Sequence, residues 1–198
     1  MRIGVFGGTF DPVHLAHLIL AEQCREQARL DQVWFVPAAR PPHKHEDELT
    51  PFERRVEMLQ FAVAGQPAFR VEDLEKDRAG PSYTADTLDE LSCRHPGNEW
   101  FLLVGSDTLR DLPTWHEPRR VVARAGLLVV ARPAAALVPA EELQAKVGAP
   151  VRVQNIDVPL IDISSSDLRA RVRRGRSIRY FVPRAVEMYV LEKKLYRQ

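Results

Sequence analysis

The sequence predicts an α/β fold: a wound parallel sheet with helices on both faces. Two patterns and one local feature predict it. Short, continuous apolar runs alternate with stretches of helical periodicity along the whole chain. The runs are rich in Val, Leu, Ile and Phe, as strands buried on both faces of a parallel sheet require. The first run passes at once into paired glycines and a helix start. In order, the predicted strands are Ile3 to Phe6, Val33 to Val36, Phe101 to Val104 and Leu127 to Val130, with a weaker one from Val151 to Asn155. The predicted helices are Val13 to Ala28, Phe52 to Ala64, Tyr83 to Arg94 and Glu141 to Val147. Two more, Ser165 to Arg174 and Pro183 to Leu195, close the chain as C-terminal helices. No composition break or repeat divides the 198 residues, so a single domain over 1–198 is expected. The longest polar loop, Ala38 to Thr50, follows the second strand, where such folds carry ligands.

Composition narrows the class. Hydrophobic residues make up 45% and charged residues 28%, as in an ordinary globular protein. The net charge of +1 gives no general reason to expect a nucleic acid or a membrane as partner. Cys24 and Cys93 lie outside any metal-type spacing and read as free thiols. No apolar run approaches a membrane span, and the N-terminus enters a strand without a signal peptide, so a cytoplasmic location is expected. The seven arginines between Arg169 and Arg184 are mostly a solvated basic face, with some steering of polyanions.

The opening segment is Met1-Arg-Ile-Gly-Val-Phe-Gly-Gly-Thr-Phe-Asp-Pro-Val-His-Leu-Ala-His17. Gly7 and Gly8 allow a tight turn and a close approach of backbone to ligand. The helix that follows aims its N-terminus, which favours anions, above the sheet. Neither the dinucleotide G-x-G-x-x-G pattern nor a P-loop is present. His14 and His17, three apart, share a helix face in the first turn, where a cationic side chain opposes the helix dipole unless an anion is bound. The alternatives are that Asp11 caps the helix and the histidines are surface residues, or that two imidazoles bind zinc, for which no third ligand is evident.

The string GGTFDPVHLAH resembles the phosphate-binding signature of the nucleotidyltransferase superfamily, G-x-F-D-P-x-H-x-G-H, with Ala16 in place of the second glycine. Ile163-Ser-Ser-Ser-Asp-Leu-Arg169 is similar to its second signature, I-S-S-T-x-I-R, with Ser166 for Thr and Leu168 for Ile. On physical grounds this run starts a helix capped by Ser164, with Asp167 three residues on. Ser165, Ser166 and Arg169 then form a phosphate grip one turn long.

Three middle segments narrow the resemblance. Pro41-Pro-His-Lys44, Pro81-Ser-Tyr-Thr-Ala-Asp-Thr-Leu88 and Gly105-Ser-Asp-Thr-Leu109 with Pro113-Thr-Trp115 occur in the order seen in the bacterial nicotinate-nucleotide adenylyltransferase family. That resemblance implies a Rossmann-like fold of nucleotidyltransferase type. It implies adenylyl transfer from ATP to nicotinate mononucleotide, giving deamido-NAD and pyrophosphate, with no nucleic acid or membrane partner. His14, His17 and Arg169 would be catalytic. Gly7, Gly8, Thr9, Phe10, His14, His17, Gly105, Asp107, Ile163, Ser165, Ser166 and Arg169 would hold ATP. His43, Lys44, Ser82, Tyr83, Thr84, Asp107 and Trp115 would hold the mononucleotide. Magnesium would arrive with ATP, bound by few or no protein ligands. The two signatures also occur in pantetheine-phosphate adenylyltransferase and cytidylyltransferases, which lack the middle segments.

Residue chemistry suits the acceptor. Trp115 offers a flat face for a pyridine ring, or else packs in the core. The helix start at Ser82 to Thr84 suits a carboxylate, and Asp107 suits ribose hydroxyls, though both Ser82 and Asp107 are also typical helix caps. His43 and Lys44 would reach phosphates from the loop, or remain solvated. A homo-oligomer stays open as an alternative to a single chain.

Overall fold

A computed structural model describes residues 1–42, 49–130 and 139–197. Among them, six parallel strands form one sheet: β1 (Arg2–Gly8), β2 (Gln32–Pro37), β3 (Phe69–Val71), β4 (Glu99–Gly105), β5 (Ala125–Val130) and β6 (Val153–Ile156). Their order is β3-β2-β1-β4-β5-β6, so the chain starts mid-sheet, winds outward one way, then returns and winds outward the other way. The reversal lies between β1 and β4. A cleft opens there beyond the carboxyl ends of the strands, the usual ligand position in wound sheets.

The eight described helices are α1 (Leu15–Gln27), α2 (Phe52–Val63), α3 (Thr84–Arg94), α4 (Ser106–Asp111), α5 (Pro118–Arg124), α6 (Ala140–Val147), α7 (Ser165–Arg173) and α8 (Arg184–Glu192). Alternate residues of the central strands feed two separate cores. Ile3, Val5, Trp100, Leu102 and Val104 pack with Leu88, Leu91 and Val121 on the α3–α6 side. Phe6, Phe35, Phe101 and Leu103 pack with Ala21, Met58, Leu168 and Val186 on the other. Packing is close at Gly4, where a Cβ would lie 2.7 Å from Leu30 Cδ1 and 2.9 Å from Leu103 Cδ1.

The expected strands and long helices are all present, with shifted ends. The weak strand expected at Val151 to Asn155 forms at Val153–Ile156. The expected helix from Val13 starts at Leu15, because His14 is extended (φ −144°, ψ 171°) and serves as its N-cap. The last helix ends at Glu192, followed by turns at Lys194 and Tyr196 with positive φ. The sequence reading passes over β3, α4 and α5. A three-residue edge strand and helices of six and seven residues are too short to show a period. No helix among the described residues is long and apolar enough to cross a membrane.

Candidate active site

The cleft has two ends. At one, the N-terminus of α1 faces the segment leading into α7 across a cavity of about 510 Å³, lined by His14, His17, Ile163, Ser164 and Ser165 among others. The two imidazoles stack, with ring centroids 3.6 Å apart. The His14 backbone N–H donates to His17 Nδ1 (3.2 Å), so that nitrogen is the acceptor and the neutral His17 ring carries its proton on Nε2. His14 Nδ1 faces the amide of His17 in the manner of a capping box, but no full hydrogen bond reaches it.

These rings are not the cations that the sequence suggests. Burial lowers the His14 pKa to about 4. Part of His17 still touches solvent, but its ring is walled in by His14, Phe6 (5.8 Å) and Phe10 (5.1 Å). Burial first, and then His14, hold its pKa well below 6.5. Neutral donors at a helix N-terminus remove the conflict with the dipole.

The loop between β1 and α1 is held from several sides. Asp11, fully buried, does not cap α1. Its Oδ2 accepts from Thr50 N–H (3.1 Å) and its Oδ1 from the Tyr196 hydroxyl (2.6 Å). Arg169 Nη1 donates to the Asp11 carbonyl (2.8 Å), Ser165 Oγ donates to the Pro12 carbonyl (2.9 Å), and Leu15 N–H donates to Phe181 O (2.9 Å). Segments near the C-terminus are therefore bonded onto this loop. Ser164 caps α7 as expected, accepting from Asp167 N–H at 3.1 Å. Phe10 (φ 49°) and Tyr196 (φ 62°) hold left-handed backbone conformations that aromatic residues take up only when their surroundings impose them. Phe10 is 1% exposed and its ring packs in the core.

At the strand ends, Gly7, Gly8, Thr9, Ser82, Thr84, Gly105 and Trp115 line a second cavity of about 310 Å³. A Cβ on Gly7 would meet no protein atom within 4 Å; on Gly8 it would meet the Phe10 ring at 3.0 Å. Ser82, Thr84, Thr108 and Trp115 also line a third, outer cavity of about 730 Å³, together with Tyr83 and His116. Trp115 is half-buried and leans on the α3–α6 core while presenting a face to both cavities. Tyr83 stacks on His116 at 4.1 Å. Ser82 is not a cap: its hydroxyl accepts from Arg40 N–H (3.0 Å) and its own N–H donates to Arg40 O (2.9 Å). Tyr83 is the N-cap of α3 and offers no side-chain bond, so the first-turn N–H groups at Thr84 and beyond have no intrahelical partner. Asp107 is exposed in the first turn of α4, whose N-cap is Gly105.

Most of the sequence-predicted residues thus converge on the cleft. Phe10, Ser166, Asp107 and Arg169 lie near it without lining these three cavities. His43 and Lys44 fall outside the described residues. Sequence reasoning missed His116 as a ring partner, and also missed Tyr196 and Arg55. Arg55 left a trace, since it occupies the same face of α2 as Met58 and Leu59, where an apolar residue is the expectation.

A wound parallel sheet with a glycine turn, paired imidazoles and a capped Ser-Ser-Ser-Asp-Leu-Arg helix at its reversal point defines the nucleotidyltransferase class. The cytidylyltransferase-like family matches residues 5–171. A Thermus thermophilus protein named "Probable nicotinate-nucleotide adenylyltransferase" is 50% identical over 197 residues, covering 100% of both chains. One of the same name from Thermomicrobium roseum is 46% identical, covering 99% of this chain and 92% of its own. Two solved structures share the fold at 22% identity. They are the Plasmodium falciparum nicotinic acid mononucleotide adenylyltransferase complexed with NaAD (TM-score 0.81, 98% and 97% covered) and with APC (TM-score 0.79, 98% and 96% covered). The chain belongs to the cytidylyltransferase-like family and, within it, to the nicotinate-nucleotide adenylyltransferases.

Proposed function

We propose that the protein transfers the adenylyl group of ATP to nicotinate mononucleotide, giving deamido-NAD and pyrophosphate. The full-length likeness to the Thermus relative supports this reading, and so does the placing of the two phosphate-type segments around one cavity. A phosphate oxygen of the mononucleotide attacks the α-phosphorus of ATP. The new P–O bond forms as the bond from the α-phosphorus to the bridging oxygen breaks, and pyrophosphate leaves with that electron pair. No side-chain nucleophile is needed, so the chain contributes by positioning its substrates and stabilising charge.

His14 and His17 would donate neutral N–H bonds to the triphosphate. The backbone from Gly7 to Phe10, with Gly105, Ile163, Ser165 and Ser166, would complete the ATP site. Arg169 would hold the loop and add its charge. The free helix N–H groups from Thr84 onward would take the nicotinate carboxylate, with Ser82 and Tyr83 beside it and Trp115 against the pyridine ring. Asp107 would accept from ribose hydroxyls. His43 and Lys44 would add charge to phosphates. The donors at the phosphate end are imidazoles, hydroxyls and amides, a set that fits phosphate oxygens rather than a hard cation. A magnesium ion bound with ATP would neutralise triphosphate charge and would be held through those phosphates by His14, His17 and Ser165.

The test is a pyrophosphate-release assay with ATP and, side by side, nicotinate mononucleotide, nicotinamide mononucleotide and pantetheine phosphate. Turnover with nicotinate mononucleotide is expected. Turnover only with pantetheine phosphate, or with no acceptor, would overturn the reading.

A further inference from the structure

Arg55 is the largest of the fully buried side chains, with 1% of its surface exposed. Among the described residues it has no carboxylate within ion-pair distance. Its donors all go to backbone carbonyls. Nε–H donates to Thr50 O (2.9 Å), Nη1–H to Thr9 O (3.0 Å) and Ala38 O (2.8 Å), and Nη2–H to Ala39 O at a longer 3.5 Å. Burial pulls its pKa down, and the more distant Asp11, Tyr196, Glu53 and Glu75 oppose that shift. A lone charge inside a core is costly unless its hydrogen bonds are fully used.

The carbonyls it gathers come from three separate stretches of chain. Thr9 belongs to the glycine turn. Ala38 and Ala39 begin the long loop after β2, and Thr50 ends it. The other polar groups of the loop's root are also engaged. Ala38 N–H donates to Gly8 O (2.9 Å), Ala39 N–H donates to Glu75 Oε2 (3.2 Å), and Arg40 exchanges two bonds with Ser82. A flat guanidinium with a fixed fork of donors can span such a set, whereas an ammonium on a flexible stem cannot.

We infer that Arg55 is a positioning residue: its guanidinium sets the spacing between the turn that holds ATP phosphates and the two ends of the loop that carries the acceptor-side residues His43 and Lys44. It touches no substrate. Its loss would therefore weaken both substrates together, where a mere structural prop would lower only stability. The inference rests on the proposed function for the assignment of the two substrates.

The test compares the full-length wild type with Arg55→Lys, which keeps the charge, and Arg55→Ala, well below each protein's Tm. Dinucleotide formation from ATP and nicotinate mononucleotide is measured, together with calorimetric titration of each substrate alone. Arg55→Lys is expected to lower kcat/KM about tenfold or more for both substrates, since a small misplacement at a reacting centre is costly. Ethylguanidinium in the buffer is expected to restore part of the activity of Arg55→Ala. Wild-type kcat and KM in Arg55→Lys with only a lower Tm would overturn the inference while leaving the proposed function standing. A wild type that makes no dinucleotide would overturn the proposed function, and the ATP titrations of wild type and Arg55→Lys would still judge the role of Arg55 at the glycine turn.

Discussion

The two ends of the cleft are built on opposite principles. At the proposed phosphate end, polar atoms are wired to one another before any ligand arrives: His14 to His17, Asp11 to Thr50 and Tyr196, Arg169 and Ser165 to the loop backbone. At the proposed acceptor end the walls are rings and an open helix start. Trp115 leans on the core, Tyr83 stacks on His116, and the cavity of about 730 Å³ is the largest of the three. Fixed dipoles suit a group whose charge must be stabilised as it transfers, because they need no reorganisation at that moment. Flat apolar faces suit a planar base recognised mainly by shape. The phosphate end should therefore govern kcat and the acceptor end KM.

The largest effect that would sharpen this contrast is expected from His17→Ala. Loss of one preorganised donor should cut kcat by about 100- to 1,000-fold, with far-ultraviolet dichroism unchanged. Near-normal turnover would remove the phosphate end from the chemistry.

Next comes pH. In the folded protein His14 has its pKa lowered to about 4 and His17 also lies well below 6.5. Below pH 6.5 the unfolded chain binds protons that the folded protein refuses. Stability is then fully present above pH 6.5 and falls as pH drops from there towards 4. For His14 alone the loss at pH 5 is about 2 kcal/mol. Urea titrations at pH 7 and pH 5 would measure it, and His14→Asn should reduce the difference, leaving the part due to His17.

Tyr196→Phe should cost about 1–3 kcal/mol by stripping a donor from the buried Asp11 carboxylate, read as a Tm several degrees lower. Trp115→Ala should raise KM for the mononucleotide about tenfold through loss of a ring contact, with kcat and the KM for ATP changed much less. An equal fall in kcat would erase the division between the two ends. The smallest effect concerns thiols. Burial pushes the Cys24 thiol up to about 12, so at pH 8 iodoacetamide should label exposed Cys93 and spare Cys24, as mass spectrometry would show.

Much of this was legible in the sequence. Strands buried on both faces announce themselves as unbroken apolar runs, and the Ser164 cap follows from a local spacing that needs no tertiary knowledge. The glycine turn, the histidine pair and the serine helix, which the proposed function assigns to phosphate, stand out in the sequence for the same reason. What escaped depends on packing. The histidines looked cationic because local sequence carries no measure of burial. Capping by Asp11 stayed open as an alternative because its partners, Thr50 and Tyr196, lie far along the chain. β3 was too short for any period to emerge. Tyr196 gave no sign at all, and Arg55 only a charge where an apolar residue was due.

The claim on which the contrast rests is that the phosphate end is a set of neutral, pre-aligned donors. Nitrogen-15 NMR of the ring nitrogens of His14 and His17 in the ligand-free protein tests it most directly. The account predicts two neutral rings at pH 6.5, with His17 protonated on Nε2 and neither titrating until well below that pH. An imidazolium at either position, or titration near pH 6.5, would contradict it.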